Sequence, residues 1–323
     1  MTLTGDSSVR GRTTRATLFV VLSACCFGSL GPLTVIALEN GARLEGVQSW
    51  RYGVSALLLL AYASRHRASG GAGPRDGGVR PWYHPRTLLV AGGGQAAVAT
   101  LALLALRWIP AATASFLFYT FPVWVTLLTA MRGIERLTGA RIVALLLAVG
   151  GIVAMVGAPD AGSLHPTGVA LALAAALLYA LYIPVLGALQ QRRSPADVAL
   201  AMSVGAGICF LAWSLATGAL GDRLNLIALG ASILQGVLST FAFIGFLAGL
   251  SQIGPVRTAI TSTVEPFWTT LLGVLLLSQP AGTGMLAGGA CIMAAVVVLQ
   301  RVAKAPLHSS TAREAGHPGH PAP

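Results

Sequence analysis

The sequence predicts an all-α polytopic membrane protein with ten transmembrane helices, built as two inverted five-helix repeats. Three observations carry this prediction. Of 323 residues, 55% are hydrophobic and only 10% charged, whereas a soluble domain has about 25% charged residues. The apolar residues gather into ten runs, each near the roughly 20 residues that a helix needs to cross a hydrocarbon core about 30 Å thick. The chain also matches itself at a displacement of 144 residues, which lays five runs on the next five. The same composition excludes a soluble enzyme, a disordered chain, a collagen and a disulfide scaffold.

The first run, Ala16 to Ala37, follows Arg10, Arg12 and Arg15 and passes Leu22-Ser23-Ala24-Cys25, which has the look of a lipoprotein cleavage box. It stays apolar through Leu38, well beyond the roughly 7 to 15 residues of a signal core, so it reads as a crossing and not as a cleaved signal. Gly46 to Ser64, Thr87 to Leu106, Ala111 to Met131 and Thr138 to Ala158 complete the first set. The second set is Thr167 to Leu189, Ala196 to Gly218, Leu226 to Leu250, Val256 to Ser278 and Thr283 to Val302. This gives an N-terminal segment 1–15, repeats over 16–158 and 159–304, and a tail 305–323. Arg65 to Arg86 is rich in Gly, Arg and Pro and the tail in His, Pro and Ala, compositions of flexible connections. The tail's His308, His317 and His320 are more simply solvated than metal-binding. Cys25, Cys26, Cys209 and Cys291 all lie in apolar runs and read as small hydrophobes.

A net charge of +11 would suggest nucleic acid in a soluble protein. Here its placement fixes orientation. With the N-terminus inside, 17 of the 21 basic residues fall on the inner side, Arg43, Arg107 and Arg223 fall in outer loops, and Arg51 lies within a helix. The basic excess marks cytoplasmic loops, so both termini are expected in the cytoplasm.

The internal match places Leu106 and Ile109 on Leu250 and Ile253, and then Pro122, Trp124, Thr126, Leu127 and Leu128 on Pro266, Trp268, Thr270, Leu271 and Leu272, without a gap. Each repeat has an odd number of crossings, so the second enters the membrane from the opposite side. Secondary transporters use such inverted repeats for alternating access, with the site near the midplane.

The run Ala105-Leu106-Arg107-Trp108-Ile109-Pro110-Ala111-Ala112-Thr113-Ala114, with Phe121-Pro122-Val123-Trp124 and Ile134-Glu135-Arg136-Leu137, resembles the first repeat of EamA-type exporters of the drug/metabolite transporter superfamily. Val264-Glu265-Pro266-Phe267-Trp268 and Leu271-Leu272-Gly273 resemble the second. Gln279 stands where that family usually has Glu, a residue kept at Glu135. The resemblance implies export of amino acids or other small metabolites across the cell inner (plasma) membrane by alternating access. An importer of the same fold, and a channel or structural membrane subunit, are the alternatives.

Away from the ends of the runs, only Arg51 and Glu265 carry charge. Charge is expensive in hydrocarbon, so both are functional candidates. Glu265 sits near the centre of its run, within a stripe of Thr258, Thr261, Ser262, Trp268 and Thr269 at helical spacing. It could bind a substrate amine or a proton, or hydrogen-bond between helices. Arg51 lies between Trp50 and Tyr52, a trio that reads first as an interfacial anchor and second as a carboxylate site. Pro122 and Pro266 interrupt the fourth and ninth runs at matched points, and Pro32 and Pro184 the first and sixth, as hinges or static kinks. Gln95, Tyr119, Trp124, Tyr179, Tyr182 and Gln235 are further cavity candidates, on helices that the resemblance implies line the path. The Gly92-Gly93-Gly94 and Gly288-Gly289 runs permit close helix approach. All six histidines lie outside the runs and no P-loop, HExxH or paired intramembrane acids occur. No enzymatic activity, cofactor, metal or nucleic-acid partner is therefore expected; the expected partners are a small-molecule substrate, protons and the bilayer.

Overall fold

The computed structural model describes residues 4–68, 82–133, 138–157, 165–191, 193–221 and 225–302, and within them all regular structure is helical. We number the helices α1 Thr4–Glu39, α2 Leu44–Ala68, α3 Pro85–Arg107, α4 Ala111–Phe118, α5 Phe121–Met131, α6 Gly139–Gly157, α7 Pro166–Gln190, α8 Pro195–Thr217, α9 Leu226–Ser262, α10 Val264–Leu277 and α11 Thr283–Val302. The ten expected runs are helical over most of their described length. Among the described residues, six helical stretches are long and apolar enough to cross a membrane: Ala16–Glu39, Pro85–Arg107, Ala111–Leu128, Pro166–Gln190, Pro195–Thr217 and Leu226–Gly249. Gly139–Ala154, Val264–Leu277 and Thr283–Leu299 are shorter and apolar. The chain is a multi-pass membrane protein. The expected tail, residue Glu135 and the centre of the Gly- and Arg-rich loop lie outside the described residues.

Helix starts follow a recurring local chemistry. Pro85, Pro166 and Pro195 stand in first turns, where a missing N–H costs nothing. The preceding residue caps each: His84 Nδ1 accepts from the Arg86 N–H at 3.2 Å, His165 Nδ1 from Thr167 at 3.3 Å, and Ser194 Oγ from Asp197 at 3.1 Å. Two of the loop histidines are thus explained as helix caps. Gly218 ends α8 with φ +75°, a conformation only glycine adopts without strain.

One boundary differs from expectation. Helical hydrogen bonding continues across the expected break near Leu250, and the interruption comes at Thr263. The chain nevertheless turns back before that point. Ser23 donates to the Ala242 carbonyl and Gly249 packs on Val20, whereas Thr269 donates to the carbonyl of Gly28. Chain that has run down α1 by Gly249 has returned halfway up it by Glu265, so α9 spans the end of one traverse and the start of the next.

The packing maps onto itself when the repeats are exchanged. Helix α1 packs on α9 and α10, and its counterpart α7 packs on α3, α4 and α5; α2 packs on α8 and α6 on α11. Glycines make these approaches close. A Cβ on Gly92, in the π-helical turn Leu89–Gly93, would collide with the backbone of Gly205 and Ala206, and one on Gly289 would meet the Phe116 ring. Hydroxyls join helices inside: Ser49 with Ser214 at 2.8 Å, Ser55 with Ser203 and Thr240 at 3.2 Å. Outside, large apolar side chains such as Leu57, 69% exposed, face outward, as lipid contact requires.

Candidate functional site

The fourth and ninth runs are both broken, at matched points. Tyr119 and Thr120 separate α4 from α5, and Thr263, the residue 144 positions beyond Tyr119, separates α9 from α10. Pro122 and Pro266 lie just beyond the breaks, in the first turns of α5 and α10, and not inside continuous helices as the apolar runs suggested. Their rings cannot donate to the carbonyls of Phe118 and Ser262 four residues back, which is why the helices end there. The restart is also duplicated: Thr126 Oγ1 donates to the Pro122 carbonyl at 2.9 Å and Thr270 Oγ1 to that of Pro266 at 2.8 Å. Pro32 and Pro184 remain inside α1 and α7.

Beside the two breaks lies a cavity of about 470 Å³ walled by helices of both repeats. Its lining pairs up at the 144-residue displacement. Ala99, Ala102 and Leu103 face it from α3, and Phe243, Phe246 and Leu247 from α9; Ala114, Phe118 and Phe121 face it at the first break, and Thr258, Ser262 and Glu265 at the second. The cavity therefore straddles the relation between the repeats.

Glu265 lies in the wall, half-buried. One carboxyl oxygen, Oε2, is 3.0 Å from the hydroxyl of Tyr119, which reaches across from the first repeat. Arg51 approaches the same cavity from α2 and is 4% exposed. Its Nε donates to Ser239 Oγ at 2.7 Å and one terminal nitrogen donates to Gln48 Oε1 at 3.1 Å, and its guanidinium lies 4.7 Å from the Tyr52 ring centre. These partners are neutral, so the cavity receives one guanidinium and one carboxyl group that no described residue of opposite charge matches. The interfacial-anchor reading fails for Arg51 and for Tyr52, which is fully buried and stacked on Phe210; of that trio only Trp50, 43% exposed, faces outward. Helix α2 turns its polar edge inward because Gln48, Arg51 and Ser55 recur at three- and four-residue spacing.

The remaining candidates divide. Gln95, Tyr179, Thr258, Ser262 and Thr269 line the cavity with Glu265, Arg51 and Tyr119. Gln95 donates to the Tyr52 hydroxyl at 3.0 Å. Thr261 and Trp268 stand outside the lining, because the break at Thr263 turns the expected stripe; Trp268 Nε1 donates to Ser29 Oγ at 3.0 Å. Tyr182 donates to the Ala91 carbonyl, Gln235 lies beside Thr34 with its amide Nε2 unpartnered, and the Trp124 Nε1 is buried without an acceptor. All three are packed outside the cavity lining. Sequence reasoning named Tyr179 but missed Phe118 and Phe121, which form an aromatic wall with it, ring centres 5.0–5.9 Å apart. Its signal was there, since Phe121 stands 144 residues before Glu265. It also missed Gln48 and Ser239, which aim Arg51. Among the described residues, no three His, Cys, Asp or Glu side chains gather as a metal site would need.

A solved crystal structure superposes with a TM-score of 0.61 over 90% of this chain and 99% of its own, at 17% identity, a likeness of fold. An uncharacterised transporter of Archaeoglobus fulgidus is 24% identical over 196 residues, 60% of this chain and 69% of that protein. The sequence signature of the EamA-like transporter family matches twice, at residues 14–157 and 166–301, in line with the internal repeat. The chain belongs to the EamA-like transporter family.

Proposed function

We propose that the protein is a secondary carrier that exports small metabolites, amino acids or related amphiphilic compounds, across the cell inner membrane by alternating access. Ten crossings form two inverted five-helix repeats, with both termini cytoplasmic. One observation carries the reading: a cavity between the repeats, beside two matched helix breaks, holds Arg51 and Glu265 without protein counter-charges. Broken helices at the repeat interface are where such carriers place their sites. An unmatched charge in a dry wall is costly, and a zwitterion would match both: its carboxylate on the Arg51 fork, its ammonium on Glu265, and its apolar part against the aromatic wall.

Counterflow in proteoliposomes tests the carrier. Saturable exchange of an amino acid identified by ligand-stabilisation screening is the expected result, and single-channel conductance would sink it. Glu265→Gln should reduce that exchange and flatten its dependence on pH; unchanged flux and profile would leave Glu265 a structural role.

A further inference from the structure

The geometry points to Tyr119 as a positioning residue that ties the proton on Glu265 to the helix break of the opposite repeat. The argument is a count of hydrogens. The carbonyl of Ser262 would take its helical hydrogen bond from the residue four positions on, but that residue is Pro266, which has no N–H. Tyr119 supplies the missing donor, its hydroxyl standing 2.6 Å from the Ser262 oxygen and 3.0 Å from Glu265 Oε2. A phenol has one proton. Both oxygens lie within reach of that proton, so the Ser262 carbonyl and the Glu265 carboxyl compete for it. An ionised carboxylate is the stronger acceptor of the two and a neutral carboxyl the weaker.

While Glu265 holds its proton, the Tyr119 hydroxyl serves the Ser262 carbonyl. When Glu265 loses its proton, the carboxylate becomes the strongest acceptor within reach, so the Tyr119 hydroxyl turns to it and the Ser262 carbonyl at the break is released. A proton arriving from the cavity is thereby read by the backbone of α9 and α10 through a side chain of the first repeat. The other titratable groups facing Glu265 are Tyr179 on α7, Cys25 on α1 and, across the cavity, Arg51 on α2. None of them touches the Ser262 carbonyl.

Its relevance to transport rests on the carrier reading, but its test needs no substrate, so either can fail alone. The test is an infrared pH titration of the full chain in proteoliposomes, with the Glu265 carboxyl band isolated as the difference from Glu265→Gln. Tyr119→Phe removes the donor that the carboxylate gains on ionising, and the titration should move toward alkali by about one pH unit, a tenfold change in proton affinity. Movement toward acid, or none, overturns the proposal. Pro266→Ala gives Ser262 a backbone donor and frees the Tyr119 proton for Glu265, so it should move the titration the other way, toward acid, without removing the phenol. An unmoved titration in Pro266→Ala refutes the link to the break.

Discussion

Replacing Arg51 with Met is the sharpest test of how the cavity recognises its substrate. Arg51 has five N–H donors and gives two to Ser239 and Gln48, which leaves three. Arg51 borders the cavity, so those three are the donors it would offer to a ligand there. A carboxylate takes two of them in a fork. Removing one partner of such a buried pair costs about 2–5 kcal/mol, or about 30- to 4,000-fold in affinity at 1.4 kcal/mol per factor of ten. The change also strips Gln48 Oε1 of its donor, on a side chain that is fully buried and whose Nε2 already has no partner, so stability falls as well, by about 1–3 kcal/mol. The assay must separate these effects. Ligand stabilisation of the purified protein by each amino acid, its amide and its N-acetyl derivative does so, because a general loss of stability cancels in the ratio. The wild type should prefer the amino acid to its amide, and Arg51→Met should abolish that preference while keeping the preference over the N-acetyl compound, which reports Glu265. Arg51→Lys should recover part of it, through charge without the fork. Equal loss for amino acid and amide would refute the assignment of Arg51 to the carboxylate.

Other consequences are independent of substrate. Gly92→Val should lower the thermal midpoint in detergent by an amount equivalent to about 1–3 kcal/mol, because the added carbons meet the Gly205 backbone; Gly93→Ala, whose Cβ would find only Leu89 at 3.8 Å, should leave it within experimental error or raise it. Gln279 Oε1 accepts from the Ala111 N–H at 3.2 Å and so caps α4 across the repeats, and Gln279→Ala should cost about 1 kcal/mol in chemical denaturation. Gln279→Glu should add a few tenths of a kcal/mol, a carboxylate being favoured at a helix N-terminus. A cysteine placed in the segment 69–81 should react with an impermeant thiol reagent in inside-out vesicles and not in intact cells; the reverse would overturn the orientation argued from the basic residues.

What was legible in the sequence was whatever a one-dimensional period records. The apolar runs, the 144-residue displacement and the isolation of Glu265 are properties of spacing and type, and each found its counterpart in space. Arg51 was misread because its neighbours Trp50 and Tyr52 are interfacial residues by type. Its true surroundings, Gln48 one turn back and Ser239 on α9, involve a contact 188 residues away that no local pattern encodes. The breaks were half legible: the prolines announced an interruption, but the place where the chain reverses, past Gly249, depends on how α1 receives both α9 and α10. Gln279, which the sequence marked only as a departure from the Glu usual in the resembling family, caps α4 through a contact equally hidden from local pattern, since its partner is Ala111 in the other repeat.

On the proposed carrier reading, the matched lining gives a duplicated cavity the means to recognise an asymmetric molecule. Two identical repeats would offer each end of a substrate the same surface. Here the positions have kept their place and changed their chemistry. Ala99 and Ala102 stand opposite Phe243 and Phe246, so bulk on one side is met by space on the other. At the breaks the exchange is of polarity: Ala114, Phe118 and Phe121 make one wall apolar and aromatic, and their counterparts Thr258, Ser262 and Glu265 make the other hydroxylic and acidic. Since Phe121 and Glu265 occupy equivalent positions, the carboxyl group has no twin, and with Glu265 ionised the field across the cavity runs from Arg51 toward the Glu265 wall without a symmetric component to cancel it. A solute with one apolar face and two opposite charges has a single favourable orientation in such a space. On the proposed carrier reading, symmetry in the backbone provides the paired breaks for alternating access, and asymmetry in five of the six matched side-chain pairs, all but Leu103 and Leu247, provides the selectivity.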